Sequence, residues 1–109
     1  MGSISKREAA KRDLVEIWVW YAENGGIEVA DRFLAASEST LQTLSRHPEM
    51  GISLSLRPPE LQGMRRFPVS DGFERILLFY FPLQTGVDLV RVVHGSRDLD
   101  QLTNEGFLG

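Results

Sequence analysis

The side chains best suited to chemistry are basic, and most lie in the second half of the chain. Metal-free cleavage of a phosphodiester needs a general base, a general acid and cations that hold the phosphate. The candidates for these roles are Arg65, Arg66, Arg75, Arg91, His94 and Arg97. No tyrosine or lysine follows His94, and three carboxylates in the tail would repel a phosphate backbone: Asp98, Asp100 and Glu105. We therefore assign no catalytic residue from this set.

The sequence predicts no metal and no cofactor. The absence of cysteine excludes thiol catalysis, cysteine zinc sites and a disulfide scaffold. The two histidines, His47 and His94, do not have the spacing of metal ligands. Gly25-Gly26 is interpreted as a turn between helices and not as a phosphate-binding loop.

The composition is that of one soluble domain spanning residues 1–109. Hydrophobic residues make up 42% and charged residues 25% of the 109 residues, close to the averages for globular proteins. The net charge of −3 does not favour general affinity for nucleic acid. No apolar run reaches the roughly 18 residues of a membrane span, and no secretory signal is visible. A cytoplasmic protein without a membrane segment is expected.

Two amphipathic helices are predicted in the first half of the chain. Ser5 and Glu8 form a possible capping box, and the stripe that follows is Ala10, Leu14, Ile17 and Tyr21. After the turn Asn24-Gly25-Gly26, a second stripe contains Ala30, Phe33, Leu34, Ser37, Leu41 and Leu44. Pro48 ends this helix, so the pair forms an antiparallel hairpin. Trp20 lies off the first stripe, which makes it a candidate for partner contact.

Three strands are predicted after a long connection over residues 48–63, in which Leu54 and Leu56 anchor the chain to the core. The strands are Met64 to Val69, Arg75 to Phe81 and Val87 to His94. Ser3 to Ser5 is expected as a possible further short strand. The predicted class is α+β, with the helical hairpin packed on a three- to four-stranded, mainly antiparallel sheet.

The last strand places an arginine among apolar residues. Simple alternation puts Val90 and Val92 on one face, and the other face receives Leu89, Arg91 and Val93. This arginine suggests that the second face of the sheet meets a partner. Two interpretations stay open for Arg66 and Arg91: they receive acidic residues of a partner, or they pair within the chain with Asp88, Glu74 or Glu60.

Six short segments spread over residues 11–98 form a recognisable series. They are Lys11 to Trp18, Ala30 to Leu34, His47 to Gly51, Arg65 to Val69, Ile76 to Tyr80 and Arg91 to Asp98. In their order and spacing they resemble the ParE branch of the RelE/ParE toxin superfamily, although each match alone is weak.

The resemblance implies a toxin of a bacterial type II toxin–antitoxin system. A ParD-like antitoxin would neutralise it by folding its C-terminal segment onto the toxin, and only the antitoxin would bind DNA. The ParE branch poisons DNA gyrase, whereas the RelE branch cuts messenger RNA in the ribosome. We expect a non-enzymatic gyrase inhibitor. The alternatives are a ribosome-dependent endoribonuclease and an inactive member that only binds its antitoxin.

Two groups of contact residues are predicted. The antitoxin-binding group is Trp20, Arg66, Phe67, Phe79 and Arg91, because apolar and cationic anchors suit a disordered acidic segment. Arg91→Glu is expected to weaken antitoxin binding strongly. The resemblance places toxicity in the C-terminal region, where the target-binding candidates are Arg97, Leu99, Leu102 and Phe107.

Overall fold

Two helices and five strands form the fold in a computed structural model that describes residues 2–95. The helices are α1 (Glu8–Gly25) and α2 (Ile27–Arg46). The strands are β1 (Ser3–Lys6), β2 (Ile52–Ser53), β3 (Arg65–Pro68), β4 (Ile76–Leu83) and β5 (Gly86–His94). The α+β class is confirmed, but the sheet has five strands because β1 and the two-residue β2 add to its edges.

The strand order is β1-β5-β4-β3-β2, and every pair except β1 with β5 is antiparallel. β1 runs parallel to β5 from the pair Ser3 and Gly86 to the pair Lys6 and Leu89. Beyond Leu89 the edge of β5 has no neighbouring strand in the described chain. Helix α1 begins directly after β1 and packs against β5, so it borders this uncovered stretch of edge.

The helical hairpin forms as predicted, although its start differs. Ser5 does not cap α1, because it lies within β1; the residue before the helix is Arg7, which makes no side-chain cap. Gly26 turns the chain between the helices at φ 93°, a conformation that favours glycine. The predicted glycine turn is therefore confirmed.

The first face of the sheet packs on the helices. Its core combines Phe33, Leu41 and Leu44 of α2 with Leu78 and Tyr80 of β4, all five fully buried. The predicted stripe of α2 is right except at one position. Leu34 is 37% exposed.

The second face is covered by the protein's own chain. Residues 54–64, here called the cover segment, bury Leu61 and Met64 against Phe79, Val90 and Val93. Leu54 and Leu56 also pack there, as predicted for the connection. The centre of this face is therefore shielded from water by the chain itself. The sequence had instead suggested that this face meets a partner.

A β-bulge in β5 overturns the predicted alternation. Phe79 pairs with Arg91, but the next residue of β4, Tyr80, pairs with Leu89. Val90 is thus an extra residue, and such an insertion changes which side chains face each way. Val92 joins Leu89 on the helix face, whereas Val90 lies under the cover segment with Val93.

Candidate interaction surface

A groove runs between α1 and the ends of β4 and β5, and we call it the α1–β5 groove. Its larger part, about 370 Å³, is lined by Glu16, Ile17, Trp20, Tyr21, Ile76 and His94. A smaller depression of about 130 Å³ continues it past Asp13, Glu16, Ile17 and the residues 91–94. Because both parts share Glu16, Ile17 and His94, they form one continuous surface.

Aromatic packing holds the exposed wall of this groove in place. Trp20 is 55% exposed, yet its ring meets that of Tyr21 edge-to-face, with centroids 5.1 Å apart at 84°. The Tyr21 ring in turn contacts the buried rings of Phe33 at 5.5 Å and Phe73 at 5.2 Å. Burial raises the pKa of the Tyr21 hydroxyl, against a smaller lowering effect of Arg75. Trp20 is therefore a large apolar side chain that is ordered before any partner arrives, which reduces the entropic cost of binding.

A buried ion pair joins α1 to the uncovered edge of β5. Arg91 donates from Nε to Asp13 Oδ2 at 2.7 Å and from Nη2 to Asp13 Oδ1 at 3.1 Å. The backbone N–H of Val92 also donates to Asp13 Oδ2, at 2.9 Å. One carboxylate thus neutralises the arginine and satisfies an edge amide that has no strand partner. Its hydrogen bonds raise the pKa of the Arg91 guanidinium.

Asp13 is the site residue that sequence reasoning missed. Arg91 was predicted to face a partner or to pair with Asp88, Glu74 or Glu60, but Asp88 is held by Arg7 at 2.9 Å. The sequence contains a signal for the true pair. Asp13 lies on the buried side of α1, and a carboxylate there requires a cation.

The five predicted antitoxin-binding residues do not share one surface. Trp20 and Arg91 line the α1–β5 groove together. Phe79 is fully buried beneath the cover segment, so its ring is not available to a partner in this structure. Phe67 is half-buried and packs on the helix-side core. Arg66 is half-buried on β3, where it pairs with Phe79 and with Ile52 of β2.

The basic residues that suggested phosphate chemistry do not all meet, because Arg65 and Arg66 lie on β3 whereas Arg91 and His94 line the α1–β5 groove. Arg65 donates to the backbone oxygens of Glu49 at 3.0 Å and Gly51 at 2.7 Å, so it fastens the turn after α2. Arg91 is paired with Asp13, and His94 lies in the groove beside Glu16. The predicted target-binding residues lie outside the described residues: Arg97, Leu99, Leu102 and Phe107.

The described chain offers neither a cluster of metal-ligating side chains nor a membrane-spanning helix. Residues 2–95 contain no group of three or more histidine, cysteine, aspartate or glutamate side chains placed to hold a metal ion. Within the same residues, neither helix is long and apolar enough to cross a membrane.

Comparison with known proteins places this helical hairpin and mixed sheet in a family of toxins. The family model described as the ParE toxin of the type II toxin–antitoxin system, parDE, matches residues 4–99. The chain therefore belongs to the ParE toxin family. This confirms the resemblance recognised in the sequence.

A solved structure supports the fold independently of sequence. The structure described as the chromosomal ParDE TA system from P. aeruginosa matches with a TM-score of 0.67 and 17% identity. The match covers 86% of this chain and 96% of that chain. No curated protein matches the chain by sequence.

Proposed function

We propose that this toxin acts in the cytoplasm by binding and inhibiting DNA gyrase, and that a ParD-like antitoxin neutralises it. The antitoxin occupies the α1–β5 groove with an apolar side chain against Trp20 and Ile17. It contacts DNA, whereas the toxin does not. The observation that carries the proposal is the family match over residues 4–99.

The groove supports the antitoxin assignment. Its floor is apolar at Ile17 and Ile76, its wall is the ordered Trp20 ring, and the paired Arg91 and Asp13 lie at its far end. Large aromatic residues next to well-packed pockets are frequent hot spots of protein interfaces. A segment that is disordered when free can gain enough from such anchors to offset the cost of ordering.

The dispersed basic residues favour a binding role over the ribonuclease alternative. Cleavage of messenger RNA would require a base, an acid and phosphate-binding cations around one point. Arg65 and Arg91 are instead engaged with carbonyl and carboxylate groups of the chain. His94 lies on β5, separated from Arg66 on β3 by the intervening strand β4.

A paired assay tests the activity. Purified toxin is added to gyrase in supercoiling and DNA-cleavage reactions and, separately, to an in vitro translation reaction. We expect inhibited supercoiling with accumulation of cleaved DNA and normal translation. Blocked translation with cut message would instead assign ribonuclease activity, and no effect in either reaction would indicate an inactive member.

A substitution in the groove tests the antitoxin site. Trp20→Ala should weaken binding of the antitoxin encoded with the toxin by about 10- to 100-fold in calorimetry, since it removes an interface anchor. Leu83→Ala is the matched control, because Leu83 is 41% exposed and lies at the far end of β4. Equal affinity of the two variants would place the antitoxin elsewhere. Arg91→Glu discriminates less well, since it sets two carboxylates together at Asp13.

A further inference from the structure

The outward side of α1 carries a stripe that the groove does not use. Its members are Arg12, Val15, Val19 and Glu23, spaced by 3, 4 and 4 residues and all exposed. Residues at these spacings lie on one face of a helix. Val15 is 63% and Val19 42% exposed. Trp20 lies about 100° further around the helix from Val19, so this outward stripe and the α1–β5 groove are separate surfaces.

The order of charges along the outward stripe is self-complementary. Arg12 stands at its N-terminal end, Glu23 at its C-terminal end, and the two valines lie between them. Within residues 2–95, neither Arg12 nor Glu23 has an ion-pair partner. When two copies of α1 lie antiparallel around a two-fold axis at the level of Ile17, Val15 meets the second copy's Val19. The same axis brings Arg12 to within one residue, about 1.5 Å of helix rise, of the level of the second copy's Glu23, twice, an offset that the two long side chains can span.

The surface beside Val15 has the shape for such a contact. A shallow depression of about 310 Å³ is lined by Lys11, Arg12, Val15 and Glu16. Lys11 on its margin is paired with Glu8 at 3.3 Å, which leaves Arg12 as the cation available to a second copy. Helices in such contacts approach to about 8–10 Å between axes, and valines are small enough to permit this.

We propose that the outward stripe of α1 is a two-fold interface with a second copy of this chain. Each copy contributes one helix face, so the area is at the small end of specific interfaces. The dimer therefore dissociates at low concentration. Two-fold contacts use the same patch on both copies, and the stripe meets this requirement because its two halves complement each other. Glu16 borders both the stripe and the α1–β5 groove, but the proposed antitoxin contacts Ile17 and Trp20 are not members of the stripe. The proposal therefore does not depend on the proposed function.

Charge reversal provides a selective test by sedimentation equilibrium of the full chain over a concentration series. Wild type should show a reversible monomer–dimer equilibrium. Arg12→Glu alone and Glu23→Arg alone should each weaken self-association about tenfold, since each places like charges opposite one another twice. An equimolar mixture of the two variants should recover the wild-type association, because a mixed dimer restores both opposite-charge pairs.

Three controls make the outcome decisive. Thermal melts followed by circular dichroism establish that both variants are folded. Val19→Glu should abolish the dimer by placing a charge in its centre, while Trp20→Ala should leave it unchanged and lose antitoxin affinity. A wild-type chain that stays monomeric at high micromolar concentration overturns the proposal. So does a mixture that associates no better than the single variants, since the dimer would then use another surface.

Discussion

Both faces of the sheet are covered by the chain itself, but by different means. On the first face, two long helices supply Phe33, Leu41 and Leu44 to a large core. On the second face, the cover segment (residues 54–64) supplies Leu61 and Met64 over Phe79 and Val90. The comparison shows that a short irregular segment can replace a layer of helices where the area to be covered is small.

The hydrogen bonds of the cover segment lie mostly within the segment itself, including the short turn at residues 58–64. The N–H of Leu54 donates to the backbone oxygen of Met64 at 3.0 Å, and the side chain of Gln62 donates to the oxygen of Leu56 at 2.8 Å. The helices instead carry a continuous ladder of backbone hydrogen bonds. We therefore expect the second face to tolerate lost packing better than the first.

The largest effect is expected on the first face. Phe33→Ala should lower the free energy of unfolding by about 4 kcal/mol, because the fully buried ring contacts Tyr21 and Phe73 and leaves a cavity. Leu61→Ala, under the cover segment, should cost about 2 kcal/mol, since an irregular segment can collapse into the space. Urea unfolding of both variants measures the difference. Equal losses would show that the second face is packed as rigidly as the first.

The elements of the first face could be predicted from sequence, whereas those of the second could be predicted only in part, at Leu54 and Leu56. Helical spacing identified Leu14, Phe33 and Leu41 because a long amphipathic helix repeats its pattern many times. No such repeat exists in the cover segment, where Leu61 and Met64 follow prolines and glycines without a period. The bulge at Val90 could not be predicted either. One extra residue in a continuous apolar stretch does not change the hydrophobic pattern of the sequence.

The groove was only partly predictable for a related reason. Trp20 was identified because it departs from the helical stripe, and it does line the surface. Phe79 was assigned to the surface because strand alternation does not reveal what covers a face. Arg91 was noticed as a charge among apolar residues, whereas Asp13 was missed, and only the fold shows that the two meet.

An intermediate effect is expected where α1 is joined to the edge of β5. Asp13→Asn should cost about 3 kcal/mol, because it leaves Arg91 partly buried without its carboxylate. The asparagine oxygen can still accept a hydrogen bond from the N–H of Val92. The loss of stability therefore measures the removal of the negative charge and not the loss of this hydrogen bond. The double variant Asp13→Asn/Arg91→Met removes both charges and should recover most of the stability. If the double variant is as unstable as the single one, the pair contributes through its geometry and not through its charges.

The smallest effect is expected at Tyr80, which contributes its ring to the first face and its hydroxyl to the turn after α2. The hydroxyl donates to the backbone oxygen of Pro48 at 2.7 Å and accepts from the N–H of Gly51 at 2.9 Å. Tyr80→Phe keeps the ring but leaves a buried N–H and a part-buried backbone oxygen without this partner. A loss of about 1–2 kcal/mol in the free energy of unfolding is expected at neutral pH.

The same substitution should change how stability depends on pH. Burial raises the pKa of Tyr80 above its usual 10.0. The hydrogen bond from Gly51 and the charge of Arg65 lower this pKa, but their effect is smaller than that of burial. As the pH rises through about 10, the unfolded chain therefore releases this proton before the folded chain does, and stability falls. Urea unfolding between about pH 8 and pH 11 should show a shallower fall for Tyr80→Phe than for wild type. Tyr21 keeps its own raised pKa in both proteins, so the difference between the two slopes belongs to Tyr80 alone. Parallel slopes would mean that the Tyr80 hydroxyl ionises as readily in the folded protein as in the unfolded chain.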